Sequence, residues 1–200
     1  CAPSCPPRLC VRRKRRTPPW TTLHRSRTAR SPLINRGKLF KQTEPLHGTG
    51  DILEFLPPVH YVGYDISQDY IDRARRLFGH RAEFHCRALA DDLPVATDSF
   101  DVVIAHGLLH HLNDGDARTL FRLARRALRP GGRLVTYDGC FAHGQSAAAW
   151  LILSLDRGRH VREPASYEAL ARTEFEQVRS VVRHDLIRIP YTHIIMECSA

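Results

Sequence analysis

The order of apolar runs and helical periods predicts an α/β fold. The expected form is a doubly wound, Rossmann-like, mostly parallel sheet with an antiparallel last strand and an irregular N-terminal tail. Three observations predict it. Strand-like and helix-like segments alternate from Gly48 onward. Phe100-Asp-Val-Val-Ile-Ala105 is a nearly continuous apolar run, as a strand buried on both faces requires. Asp116 to Leu128 carries Leu120, Phe121, Leu123, Ala124, Ala127 and Leu128 at helical spacing.

The elements follow in order. Asp51 to Leu56 is a helical turn, stopped by Pro57-Pro58. Tyr61 to Tyr64 is a strand closing on Asp65. Ser67 is an N-cap, with Tyr70, Ile71, Ala74, Leu77 and Phe78 behind it at helical spacing and Gly79 as the stop. Ala82 to Ala88 is the next strand, followed by Phe100 to Ala105 and the helix 116–128. Pro130-Gly131-Gly132 turns into the strand Arg133 to Tyr137. Helical material lies between Ser146 and Phe175, and Val178 to Ile189 and Tyr191 to Cys198 read as two closing strands.

Charge divides the chain at residue 46. The whole carries a formal +9, but residues 1–46 alone hold a net +11 and residues 47–200 a net −2. The basic balance belongs to the tail, so the body is not expected to bind nucleic acid, whereas the tail is compatible with it. The tail is rich in Pro, Arg and Ser, and no hydrophobic period runs through it. It reads as disordered, as an organelle leader, or as residues outside the natural frame; the body's use of Arg to the exclusion of Lys suggests GC-rich coding. The expected domains are a basic tail, 1–46, and a folded domain, 47–200, whose first strand is missing.

The longest apolar run, Ala147 to Leu155, is too short to span a bilayer. Six cysteines are scattered without metal-ligand spacing, so neither a disulfide framework nor a metal site is expected. Cys86, Cys140 and Cys198 sit in apolar segments and read as buried thiols of a cytoplasmic protein. Oligomeric state is not legible.

The chemistry-bearing residues fall where strands end, the edge at which open α/β sheets bind ligands. Gly48-Thr49-Gly50 opens a helical turn, where glycines let a ligand approach the backbone. Asp65 closes the next strand and is suited to accept ribose hydroxyls. Asp91-Asp92-Leu93-Pro94 follows the strand after that. Ala105-His106-Gly-Leu-Leu-His110-His111-Leu112 follows the apolar strand, and Leu128-Arg-Pro-Gly-Gly-Arg-Leu134 precedes the next.

Taken in order, these motifs resemble the class I S-adenosylmethionine-dependent methyltransferases, over residues 44–138 by motif and to the C-terminus by topology. The C-terminal stretch looks like that of small bacterial members. The resemblance implies a seven-stranded sheet with S-adenosylmethionine as cofactor. It implies that the Gly48 and Gly50 loop lies beside the methionine part, that Asp65 holds the ribose, that the Ala90-Asp91 region meets adenine, and that Glu44, Ile66 and His106 also bind the cofactor. The family's first motif is a hydrophobic strand followed by acid-x-Gly-x-Gly-x-Gly. Here Leu46 stands at the first glycine, and Gly37 to Thr43 is a poor central strand.

Methyl transfer needs alignment, exclusion of water and, for a protonated nucleophile, a base. His106 is the first candidate base, with Asp138 and His143 after the following strand. Arg157, Arg162, Tyr191 and His193 are candidate acceptor-binding residues, and the acceptor is expected to be a small molecule. Other classes fare worse. A short-chain reductase needs a Tyr-x-x-x-Lys pair and a phosphate loop needs Gly-Lys, yet the body has no lysine. A methyltransferase-like module that binds without catalysis is the remaining alternative.

Overall fold

The computed structural model describes residues 36–41, 50–90, 93–156 and 158–200, the first stretch by its backbone alone. One compact unit runs from Ile34 to Ala200. Among the described residues it contains seven strands, β1 (Arg36–Lys41), β2 (His60–Asp65), β3 (Ala82–Cys86), β4 (Phe100–His106), β5 (Leu128–Gly139), β6 (Gln177–Arg183) and β7 (His193–Ser199). The helices are α1 (Gln68–Phe78), α2 (Asp114–Ala127), α3 (Ala147–Leu155) and α4 (Pro164–Ala171), with single 3-10 turns at Asp51–Glu54 and Leu109–His111.

The strands form one sheet in the order β3-β2-β1-β4-β5-β7-β6. The first five are parallel, and β7 runs antiparallel to both β5 and β6. The strand order reverses at β1 and β4, the crevice where such sheets bind ligands.

The central position corrects the expected boundary. Arg36–Lys41 fills it, pairing Gly37 with Tyr61 on one side and with Val102 on the other. The described sheet therefore includes residues before 47, at the position where a strand was expected to be missing. Backbone ladders explain how a poor strand sequence can sit there. Without β1, the edges of β2 and β4 would leave rows of N–H and C=O groups unpaired, and any extended segment satisfies them.

Other boundaries move less. The Pro130-Gly131-Gly132 turn lies within β5, because Leu128 already pairs with Phe100 before a register shift leads to Val102 opposite Arg133. Gly131 takes the left-handed conformation there, φ 77°. The closing strands are shorter than expected: residues 184–192, where Pro190 supplies no donor, join β6 to β7 without strand structure.

Two apolar clusters hold the layers. On one face, α2 buries Leu120, Phe121, Leu123, Ala124 and Ala127 against β4, β5 and β7. Asn113 caps α2, its side chain accepting the Asp116 N–H at 3.0 Å. α4 adds Tyr167, Leu170 and Ala171 to the same cluster. On the other face, α1 packs Ile71, Ala74 and Phe78 with Leu53, Tyr61 and Phe84. Leu77, expected on that face, is exposed.

Candidate functional site

The carboxyl ends of β2 and β4 carry the cofactor candidates. Asp65 is buried at the last position of β2, and its Oδ1 accepts the Ser67 N–H at 2.7 Å. That bond fixes the carboxylate at the start of α1. Ile66 beside it is exposed, as is Ala90. Gly50 has φ 78°, and a β-carbon there would lie 3.2 Å from the Phe84 ring and 3.3 Å from Phe78. Glycine is thus demanded at 50 by conformation and by packing beneath the loop, beyond any need for ligand access. Gly107 also has φ 61°, and the nearest atom to a β-carbon there is His110 Cε1 at 3.8 Å. A β-carbon there would thus meet the His110 ring at ordinary van der Waals distance, with no closer contact among the described residues.

Four rings line the edge from β4 to β7. His106, the last residue of β4, pairs in register with Tyr137 of β5, and their rings stack 4.6 Å apart at 7°. The other neighbour of Tyr137 is His193, 4.6 Å away at 23°. His193 opens β7 opposite Gly139, and Tyr191 packs on it at 4.7 Å. Tyr191 Oη donates to Asp156 Oδ2 at the end of α3. Gly139 leaves room for this arrangement, because a β-carbon there would sit 2.5 Å from Tyr191 Oη and 2.9 Å from Leu153.

Burial sets the protonation of this row. His193 is 4% exposed, and its Nδ1 has no hydrogen-bond partner. Desolvation first, and the neighbouring His110 second, bring its pKa down to about 4. The imidazole is neutral near pH 7. Burial and the Asp138 charge push the Tyr137 hydroxyl up to about 12, so it keeps its proton.

Asp138 faces the opposite side of β5, opposite Ile194 rather than His193. Its Oδ1 lies 2.9 Å from His110 Nδ1 and accepts the His110 backbone N–H at 3.2 Å. Burial raises its pKa, and the bonds to His110 oppose that shift. Asp138 is thus enclosed, with Oδ1 positioning the 3-10 turn after β4 and Oδ2 buried without a hydrogen-bond partner among the described residues. Gly158 lies against the same histidine, since a β-carbon there would strike the His110 ring.

Arg162, a candidate acceptor-binding residue, is engaged within the fold. Its guanidinium donates to the carbonyls of Leu109 and His160 at 3.0 Å and of Leu112 at 2.7 Å, and to Asp114 at 2.7 Å. It ties the α3–α4 connection to the 3-10 turn and the start of α2. The pair also lowers the Asp114 pKa, chiefly through that hydrogen bond.

His143 is exposed in the turn after β5. Glu44, Gly48, Asp91 and Arg157 lie outside the described residues. The structure therefore brings together His106, Tyr191 and His193, with Asp65, Ile66 and Gly50 along the same edge. Sequence reasoning missed Tyr137, which joins the two histidines, and Asp156, which anchors Tyr191. The only available signal was the position of Tyr137 at a strand end before Asp138.

Comparison with known proteins agrees with this fold. A family model described as a methyltransferase domain matches residues 47–132. The uncharacterized protein YafE of Escherichia coli is 33% identical over 117 residues, covering 54% of this chain and 54% of its own length. Malonyl-[acyl-carrier protein] O-methyltransferase of Hahella chejuensis is 34% identical over 119 residues, covering 58% of this chain and 40% of its own. The chain thus spans about half the length of the curated relatives it matches. A crystal structure of a SAM-dependent methyltransferase from Methanosarcina mazei superposes with a TM-score of 0.65 at 16% identity, covering 83% of this chain and 92% of that one. At that identity the superposition shows the fold.

Proposed function

We propose, from the premise that this chain belongs to the class I S-adenosylmethionine-dependent methyltransferases, that it transfers a methyl group to a small-molecule acceptor at the edge shared by β4, β5 and β7. The observation that carries this reading is the row of His106, Tyr137, His193 and Tyr191 rings at the carboxyl end of β4 and beside the left-handed Gly107.

The described residues fit the cofactor. A buried carboxylate stands at the end of β2, held by the Ser67 amide, and a left-handed glycine without a side chain follows β4. Asp65 would hold the ribose hydroxyls, Ile66 and Ala90 would border the adenine, and Gly50 and His106 would flank the methionine end, with Glu44, Gly48 and Asp91 completing the set. S-Adenosylmethionine supplies an electrophilic methyl group.

The protein's own part is alignment, which can contribute several kcal/mol. The stack fixes the His106 ring against Tyr137, so its orientation is set before a ligand arrives. Neutral His193 can accept a hydrogen bond from an acceptor N–H or O–H, which would meet its buried, unpartnered nitrogen. His106, partly exposed, is the better proton acceptor of the two because His193 is held neutral far below pH 7. The Asp156–Tyr191 bond holds the end of α3 beside this row, and Leu153 there helps to exclude water.

The test is turnover with labelled S-adenosylmethionine over amine, hydroxyl, thiol and carboxylate acceptors. Methylated product that falls at least tenfold in His106→Phe is the expected result. Cofactor binding without methylation of any acceptor would favour a non-catalytic binding module instead.

A further inference from the structure

Helix α3 reads AAAWLILSL and carries no charge. Ala149 and Leu153, four residues apart, face the protein and are buried. Trp150, Leu151 and Leu155 occupy the opposite arc and are 55%, 54% and 75% exposed. A helix at an aqueous surface ordinarily turns polar residues outward. This one does not.

The β6–β7 connection repeats the pattern. Ile187 and Ile189 are 42% and 55% exposed, with exposed Arg188 between them. The two segments meet where Tyr191 bonds to Asp156, and where Leu153 and Tyr191 both crowd Gly139. They form one rim beside the ring row.

Charge on this rim leans positive. Asp185 is paired with Arg183 at 2.7 Å, and Asp156, which keeps its charge while accepting from Tyr191, stands against two exposed arginines. Among the described residues, exposed Arg159 and Arg188 have no ion-pair partner. Apolar side chains next to unneutralised arginines suit a surface that is oily below and anionic above.

We infer that α3 and the β6–β7 connection dock on an anionic lipid surface. Leu151, Leu155, Ile187 and Ile189 would enter the acyl boundary, Trp150 would sit at headgroup level, and Arg159 and Arg188 would meet phosphates. A second copy of this chain fits less well. A stable protein interface takes roughly 800 Å² and about 20–30 residues per partner, and this rim offers five large apolar side chains. A two-fold contact would also bring the same arginines toward each other.

The inference does not depend on methyl transfer, and its test reads binding alone. The full chain is mixed with vesicles of phosphatidylcholine, with or without one third phosphatidylglycerol. Sedimentation is measured, together with Trp fluorescence in a Trp20→Phe background that leaves Trp150 as sole reporter. The basic tail can itself attract anionic vesicles, so the Trp150 signal and the α3 variants decide the matter. We expect co-sedimentation with anionic vesicles, a blue shift of Trp150, and about tenfold weaker binding in Leu151→Glu/Leu155→Glu. Both positions are exposed, so that variant should melt as the parent does. Sedimentation without a Trp150 shift, or undiminished in the double variant, would overturn the inference. So would a dimer that the double variant abolishes while vesicles leave Trp150 unshifted, because a second copy would then cover the face.

Discussion

His110 is bound twice by one oxygen of Asp138, through its ring Nδ1 at 2.9 Å and through its backbone N–H at 3.2 Å. The contact joins residues 28 positions apart and fixes the 3-10 turn that follows β4. Since His106 and Gly107 lead into that turn, the geometry of the proposed site rests on a carboxylate that does not face it.

Removing the carboxylate should therefore act on stability first. Asp138→Leu strands both His110 groups in a buried place and should cost about 3–5 kcal/mol. Asp138→Asn keeps an acceptor and should cost less, about 1–2 kcal/mol. Urea unfolding of the two variants checks the order; equal losses would show that the bonds to His110 contribute little.

The pH dependence follows from His193. Its pKa falls from 6.5 in the unfolded chain to about 4 in the fold. Between these values the unfolded chain takes up a proton that the folded one refuses. The stability this neutral ring allows is complete above pH 6.5 and is lost as pH falls toward 4, by on the order of 2 kcal/mol. His193→Phe keeps a ring in the stack and removes the titration. Thermal melts from pH 4 to 7 should show a flatter acid limb in the variant than in the parent.

Arg162 is a clamp whose loss leaves the Leu109, His160 and Leu112 carbonyls without their donor. Arg162→Met should cost about 2–4 kcal/mol. Arg162→Lys should restore little, because a point donor cannot reach several carbonyls and Asp114 together. A lysine variant as stable as the parent would contradict this.

Gly139→Ala tests the end of α3. The new methyl collides with Tyr191 Oη and Leu153, so the Tyr191–Asp156 bond should break. The expected loss is about 1–3 kcal/mol. Protease sensitivity near α3 should rise with it, and a cleavage pattern unchanged from the parent would count against the latch.

Much of the fold was legible because its signals are local. Phe100 to Ala105 reads as a buried strand from composition, and α2 from the spacing of Leu120, Phe121, Leu123 and Ala124. Asp65 and His106 were legible as strand-end residues, and the structure puts each at the end of its strand. The central strand was not. Nothing in Arg36-Gly-Lys-Leu-Phe-Lys41 favours a sheet interior, and its place comes from the backbones of β2 and β4. The contacts of Arg162 and Asp138 were illegible for a related reason. Their partners lie 48 and 28 residues away, and a side chain that looks available for a ligand in sequence is consumed by such contacts.

The measurement closest to the central claim is calorimetric titration of the folded full chain with S-adenosylmethionine and S-adenosylhomocysteine, beside Asp65→Ala. The account predicts micromolar binding of both, weakened at least about tenfold when the Asp65 carboxylate is removed. A folded protein that binds neither, or binds them equally well without Asp65, would contradict the assignment of the β2–β4 edge as the cofactor site.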